Sequence, residues 1–300
     1  MKPDPLIIYI PGLLPKPEAD AHREQLLRCL LEGIYRIDPA TSDDLRERSG
    51  CFDIVSWTYD FYGEHRDIRL DLPAIEAVLG KRGPTEQDIA EVVSWKRRLI
   101  QAIYTAGDIL PFLIPQLADE TLEVHLRDLR RYTTNKNDVA EVIRRQLKVP
   151  LAAAAAVDRP ILLLAHSMGS VIAYDALWQL SYTQQQHVSV DTFITMGSPL
   201  GQRYIQGKLK GRKETGQRRY PDNIRQWVNI SAVGELTALD PELRNDFGEM
   251  ETLGLLSEIE DLNFFGFFRQ NGTLNVHSEY GYLINEVTAR HVRDWWCRQR

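Results

Sequence analysis

One serine stands between small residues where an apolar run gives way to a helical pattern. The segment Ala165-His166-Ser167-Met168-Gly169 follows the run 160–164, and apolar residues at helical spacing come after it. A serine held at such a turn exposes its hydroxyl above the sheet, and the following helix directs backbone N–H groups at a developing oxyanion. These residue types and this spacing indicate a nucleophile for acyl transfer. A small-residue turn in an ordinary strand-helix unit is the alternative.

The turn resembles the nucleophile elbow of the α/β-hydrolase fold, which is normally written Gly-x-Ser-x-Gly. Ala165 replaces the first glycine, which is a sterically mild change, and Gly169 matches the second. In that fold the catalytic residues follow one another along the chain as serine, carboxylate and histidine. His277 follows the last predicted strand and precedes the final predicted helix, so we expect it to be the general base. A purely structural histidine is the alternative.

Two carboxylates after the predicted strand 227–232 could orient this histidine. Glu235 comes directly after the strand, and Asp240 lies five residues further on, in a Leu-Asp-Pro setting that also suits a turn or a helix cap. We favour Glu235 and keep Asp240 as the alternative acid. Either carboxylate would hold the imidazole in the required tautomer and stabilise the imidazolium.

An oxyanion hole requires two backbone N–H groups. In the α/β-hydrolase arrangement the residue after the nucleophile supplies one, which assigns it to Met168. The loop after the first strand supplies the other, which we assign to Leu13, and Gly12 lets that loop approach the serine closely.

Several segments together resemble the lipase- and esterase-like branch of the α/β-hydrolases. The resemblance implies a serine hydrolase without a cofactor, and the scaffold does not fix the substrate. An ester, a thioester or an amide, and an acyl acceptor other than water, all stay open. The matching segments are Ile10-Pro11-Gly12-Leu13, similar to the His-Gly oxyanion loop with Pro11 for the histidine; the elbow 165–169; the Gly-Ser-Pro-Leu-Gly loop within 195–201; the acid loop 234–241, with Glu235 for the usual aspartate; and the histidine segment 277–280.

The rest of the chain alternates strand and helix patterns, which predicts an α/β fold with a doubly wound, mostly parallel sheet. The stretch 63–134 is helical in pattern and offers no strand, so we predict a helical cap inserted into a single domain spanning 1–300. Its apolar residues between 99 and 117 either pack against the domain or form a lid over an acyl pocket. Strands are predicted at 6–10, 52–59, 160–164, 190–196, 227–232 and 259–265, and helices at 18–37, 137–156, after Ser167 and at 281–297.

Composition excludes some classes of function. The chain has 36 basic and 42 acidic residues and a net charge of -6, which argues against a general nucleic-acid binder. Cys29, Cys51 and Cys297 are too far apart to indicate a disulfide framework or a zinc site. The sequence shows no secretion signal, no apolar span and no metal or phosphate-loop motif. We expect a cytoplasmic protein with no cofactor, no metal and no transmembrane segment.

Residues 203–225 are rich in lysine and arginine and contain only Glu214 and Asp222 as acids. The stretch follows the Gly-Ser-Pro-Leu-Gly segment, near the sheet edge where ligands bind. It either contacts an anionic surface, head group or nucleic acid, or is an ordinary solvated loop.

These observations favour cleavage of a small-molecule carboxylic ester or acyl compound, lipids included, through an acyl-enzyme. A catalytically silent scaffold that serves as a binding or interaction module is the alternative. The departures at Pro11, Ala165 and Glu235 and the unusual insertion favour that alternative.

Overall fold

The computed structural model describes residues 3–94, 120–184, 187–235 and 240–300. Within these ranges the chain forms an α/β structure in which a six-stranded parallel sheet is flanked by helices. The doubly wound arrangement predicted from the strand-helix alternation is compatible with this architecture.

The sheet strands have the order β2-β1-β3-β4-β5-β6, and every neighbouring pair is parallel. A separate antiparallel pair, β7 with β8, precedes the last two helices. The strands are β1 Leu6–Ile10, β2 Phe52–Ile54, β3 Ile161–His166, β4 Thr192–Met196, β5 Trp227–Ala232, β6 Ile259–Phe264, β7 Arg269–Gln270 and β8 Thr273–Leu274.

The α-helices of the described residues are numbered here in chain order. They are α1 Ala19–Tyr35, α2 Pro39–Glu47, α3 Thr58–Tyr62, α4 Leu72–Leu79, α5 Glu86–Val92, α6 Glu120–Thr133, α7 Val139–Ala155, α8 Met168–Tyr182, α9 Arg203–Gln206, α10 Leu243–Phe247, α11 Glu249–Thr252, α12 Glu279–Leu283 and α13 Glu286–Gln299.

Side chains of β1 alternate between two cores, one on each face of the sheet. Ile8 and Ile10 belong to the core that contains the buried residues of α7 and α8, whereas Ile7 and Tyr9 belong to the core of α1 and α13. Because both faces are covered, β1 is buried at every position, as a continuous apolar run predicts. The chain reaches β2 on one side of β1 and β3 on the other. The carboxyl ends of β1 and β3 therefore form a topological switch point, where open α/β sheets bind ligands.

The strand predicted at 52–59 is wrong in its second half. β2 ends at Ile54 and α3 begins at Thr58. Trp57 and Phe61 lie four residues apart, are both buried, and meet edge to face with ring centroids 5.6 Å apart. This pairing requires helical spacing, so the apolar run continues across two element types. The helix predicted at 281–297 is likewise two helices, α12 and α13, because Asn285 caps the second by accepting a hydrogen bond from the Val287 amide over 2.9 Å.

The predicted insertion 63–134 lies partly outside the described residues. Its apolar residues between 99 and 117 lie entirely outside them. Its described part contains α4, α5 and α6. Among the helices of the described ranges, none is long and apolar enough to cross a membrane. Cys29, Cys51 and Cys297 form no disulfide.

Candidate active site

Ser167 lies in a strained backbone conformation between β3 and α8. Its φ is 53° and its ψ is -126°, a region that non-glycine residues seldom adopt and that costs on the order of 1–3 kcal/mol. The Ser167 amide donates to the Met196 carbonyl of β4 over 2.8 Å. The strain is therefore held in place by the neighbouring strand, and the serine sits at the carboxyl end of the sheet.

Close approach of the loop after β1 explains the small residues around Ser167. A Cβ on Gly169 would lie 2.5 Å from the Ile10 carbonyl oxygen, and a Cβ on Gly12 would lie 2.7 Å from the Ser167 Cβ. Both contacts are too short for any side chain. Ala165, where the elbow pattern has glycine, is fully buried. The loop that carries Leu13 is thereby pressed against the serine.

Ser167, His277 and Glu235 form a continuous chain of contacts. His277 Nε2 lies 3.0 Å from Ser167 Oγ, and His277 Nδ1 lies 2.8 Å from Glu235 Oε2. Glu235 and Ser167 are buried, whereas the His277 side chain is 28% exposed. With a proton on Nδ1 donated to the carboxylate, Nε2 can accept the serine proton.

Asp240, the alternative acid, is engaged elsewhere. Its Oδ1 accepts the Glu242 amide over 3.1 Å, and its carbonyl lies where a Cβ on Gly201 would approach within 2.6 Å. Glu235 instead sits at the end of β5, where Gly234 turns the chain with a φ of 79°. The structure thus places Glu235, and not Asp240, against His277.

Two residues that the sequence did not single out shape the space around His277. Gly197 has a φ of 56°, and a Cβ there would lie 3.2 Å from His277 Nδ1. Tyr282 donates its hydroxyl to Glu235 Oε2 over 3.4 Å and accepts the Ala232 amide over 2.8 Å. Burial and the nearby charge of Glu235 raise the pKa of Tyr282 well above its ordinary value, so the hydroxyl stays a donor. Gly197 lies in a segment noted for its resemblance, but Tyr282 has no local sequence signal.

The imidazole of His166 lies behind His277. The two ring centroids are 4.7 Å apart. Burial, and then the charge of His277, lower the pKa of His166 to about 3, so this ring is neutral at neutral pH. Among the described residues neither of its nitrogens has a hydrogen-bond partner. His166 therefore supports the His277 ring by contact without adding a charge.

A pair of serines joins the Gly-Ser-Pro-Leu-Gly loop to the elbow. Ser170 donates to the Ser167 carbonyl over 2.6 Å, and its Oγ lies 2.7 Å from the Ser198 Oγ. Ser198 also accepts the Leu200 amide over 3.2 Å. These bonds fix the segment 197–201, and with it Gly197, relative to Ser167.

A second buried carboxylate, Glu279, lies two residues after His277. Lys16 Nζ lies 2.9 Å and His22 Nε2 lies 3.0 Å from Glu279 Oε1, while the Tyr9 hydroxyl donates to Oε2 over 2.9 Å. Burial alone would raise the pKa of Glu279, but the charges of Lys16 and His22 hold it well below its usual range. Glu279 appeared only within the histidine segment, and its partners lie some 260 residues away in sequence, beyond the reach of local patterns.

The two predicted oxyanion donors occupy suitable elements. Met168 is the first residue of α8, where amides have no carbonyl partner within the helix. Leu13 is half-buried in the loop held against Ser167 by Gly12. The next amide, that of Leu14, donates to the Tyr62 hydroxyl over 3.0 Å, which leaves Leu13 as the donor candidate in this loop.

The part of the chain that the structure describes contains no group of three or more histidine, cysteine or carboxylate side chains that could hold a metal ion. Comparison of the sequence and structure with protein-family models, curated proteins and solved structures finds no match. The chemistry of the site is therefore argued from its own residues.

Proposed function

We propose that the protein is a serine hydrolase that cleaves carboxylic esters through an acyl-enzyme. The observation that carries the proposal is the contact chain from Ser167 Oγ through the His277 ring to Glu235 Oε2, with distances of 3.0 and 2.8 Å, on a strained turn at the sheet switch point. A histidine with a purely structural role would not require both a buried carboxylate at one ring nitrogen and a serine in a strained conformation at the other.

In the proposed reaction His277 Nε2 takes the Ser167 proton while Oγ attacks the ester carbonyl. The carbonyl oxygen becomes an oxyanion that accepts hydrogen bonds from the Met168 and Leu13 amides. Glu235 stabilises the imidazolium, which then protonates the departing alcohol. Water, activated by the neutral His277, attacks the acyl-enzyme, and Ser167 regains its proton as the acid leaves.

The proposal extends to the scaffold. A parallel sheet with the serine at the carboxyl end of β3, the acid after β5 and the histidine after β6 is compatible with an α/β-hydrolase, which we propose as the fold family. The helical cap over the site belongs to the same proposal. The substrate class is a small ester or acyl compound, lipids included, whose chain length the cap would select.

Labelling with a fluorophosphonate probe and hydrolysis of short p-nitrophenyl esters test the proposal. The unaltered protein should react in both assays, and Ser167→Ala should lose both. Ser189→Ala, which removes an exposed hydroxyl remote from His277, is the matched control and should retain both. An unaltered, folded protein that resists the probe and all esters would overturn the proposal and favour the catalytically silent scaffold.

A further inference from the structure

The basic stretch predicted as a loop is held firmly against α8. Trp178 donates to a loop carbonyl over 2.8 Å and Tyr182 donates to another over 2.9 Å. Asp175 accepts the Lys210 amide over 2.7 Å. Gly211 has a φ of 76°, and a Cβ there would lie 2.4 Å from the Arg219 carbonyl oxygen. The basic side chains of this stretch therefore project from an ordered backbone, along the half of α8 that is remote from Ser167.

One cavity opens between this loop and residues 132–135, and a second opens between α3, α6 and α7. The first has a volume of about 260 Å³ and the second about 710 Å³, and residues 132–137 contribute to the walls of both. Most charged groups in their walls are cationic. We call these cations the basic face: Arg144, Lys208, Lys210, Arg212 and Lys213 in the first cavity, and Arg127, Arg130, Arg131 and Lys136 in the second.

Acidic residues neutralise only part of the basic face. Arg144 pairs with Glu141 over 2.9 Å, and Arg127 pairs with Asp128 over 3.1 Å. The acids in the cavity walls are engaged as well. Asp175 is buried and accepts the Tyr132 hydroxyl over 3.0 Å and the Lys210 backbone amide over 2.7 Å. Glu214 lies 3.9 Å from Arg218, and Asp60 accepts a hydrogen bond from the Gln146 side chain.

The remaining cations attract anions. Within the described ranges Arg130, Lys136, Lys210, Arg212 and Lys213 form no ion pair with a carboxylate. A chain of net charge -6 thus concentrates uncompensated positive charge on one surface. The overall composition does not explain this concentration of positive charge, whereas binding of an anionic partner would.

Exposed valines accompany the cations. Val142 lines the second cavity and is 41% exposed, and Val149, seven residues further along the same side of α7, is 61% exposed. Nucleic-acid sites combine cations with stacking aromatic rings, whereas surfaces that lie on a bilayer combine cations with exposed apolar side chains. The aromatic rings beside the loop are engaged within the protein, since Trp178 and Tyr182 donate to loop carbonyls and Lys208 lies over the Tyr204 ring. The exposed valines therefore match the second pattern.

We propose that the basic face binds the surface of a bilayer that contains anionic phospholipids. The two cavities receive phosphate head groups, and the exposed valines of α7, beginning with Val142 in the wall of the second cavity, contact the apolar part of the bilayer interface. Binding is independent of the proposed hydrolysis.

Sedimentation with phosphatidylcholine vesicles, with or without phosphatidylglycerol, tests the proposal using the unaltered full chain. We expect binding only when phosphatidylglycerol is present, and loss of binding at high salt. The double variants Arg212→Glu/Lys213→Glu and Arg130→Glu/Lys136→Glu, one for each cavity, should each lower the partition coefficient roughly tenfold or more.

The matched control is Arg82→Glu/Arg298→Glu, which makes the same change in net charge at two exposed sites. Arg82 lies in the loop between α4 and α5 and Arg298 lies on α13, and these helices belong to the opposite core. It should change partitioning by about twofold at most, because screening limits the reach of remote charges. Equal binding to both vesicle types, or equal losses in the control and the cavity variants, would overturn the proposal. So would retention on single-stranded RNA with no binding to vesicles. Because no turnover is measured, these outcomes are separate from those of the ester assays.

Discussion

The buried carboxylate of Glu279 lies 2.9 Å from the Lys16 ammonium, and this ion pair joins the loops on the two sides of Ser167. Lys16 belongs to the loop after β1, which also carries Gly12 and Leu13. Glu279 begins α12, two residues after His277. The contact therefore fixes the loop of the proposed oxyanion donor relative to the loop of the proposed base. Neither Leu13 nor His277 takes part in it.

Glu279→Gln is expected to lower the free energy of unfolding by roughly 3 kcal/mol, because the Lys16 ammonium loses its buried counter-charge. It should also lower kcat for a short ester with little change in KM, because the two loops lose their common anchor. Urea unfolding and steady-state kinetics measure these effects. Glu286→Gln, which breaks an exposed pair with Arg290, should cost less than about 1 kcal/mol. An unchanged kcat in Glu279→Gln would limit Glu279 to a structural role.

Gly197→Ala is expected to lower kcat at least tenfold, because its Cβ would lie 3.2 Å from His277 Nδ1 and displace the ring from Glu235. The variant should also be less stable, because the φ of Gly197 is 56° and alanine is strained in that conformation. Gly216→Ala separates the two effects: its φ is 57°, and a Cβ there meets nothing within 4 Å. Both variants should lose stability in urea through backbone strain, and Gly197→Ala should lose more, because its Cβ would also lie 3.0 Å from the Tyr282 hydroxyl oxygen. Only Gly197→Ala should lose activity. Equal activity in the two variants would show that the His277 ring tolerates the contact.

The sequence predicts the sheet and the approximate place of the site better than it predicts which side chains contact one another within the site. β1 and β3 are buried on both faces, so their apolar runs are unambiguous. The strand predicted at 52–59 is wrong in its second half because apolar residues there belong first to β2 and then to α3, and a short apolar run does not determine its periodicity.

The choice between Glu235 and Asp240 depended on how a loop turns after β5, which five residues of sequence do not determine. The turn at Gly234 and the contact of Asp240 with Gly201 settle where each side chain lies. Tyr282 reaches Glu235 only because α12 packs beside β5, and the sequence separates the two residues by 47 positions. Long-range packing of this kind leaves no local pattern.

Glu235→Gln is expected to lower kcat roughly 10³- to 10⁴-fold, because an amide in this position can stabilise the wrong tautomer of His277 and does not offset an imidazolium. Labelling by a fluorophosphonate should slow in parallel. Asp240→Asn is the control, and its kcat should stay within about twofold of the unaltered protein, since its carboxylate accepts the Glu242 amide over 3.1 Å and an asparagine side-chain oxygen can accept the same bond. Equal losses in the two variants would contradict the assignment of Glu235.

His166 should make the protein less stable in acid. The unfolded chain binds a proton on this imidazole below about pH 6.5, whereas burial lowers the folded pKa to about 3. The unfolded state therefore binds more protons across this window, and stability falls as pH decreases, by about 2–3 kcal/mol between pH 7 and pH 4.5. Glu279 adds to the acid sensitivity near its own unfolded pKa, so the contribution of His166 must be isolated by difference. In urea unfolding between pH 7 and pH 4.5, His166→Phe should lose about 2–3 kcal/mol less stability than the unaltered protein. His187→Gln, which changes an exposed histidine, should lose as much as the unaltered protein. Identical losses in His166→Phe and the unaltered protein would mean that the His166 ring is not held neutral by burial.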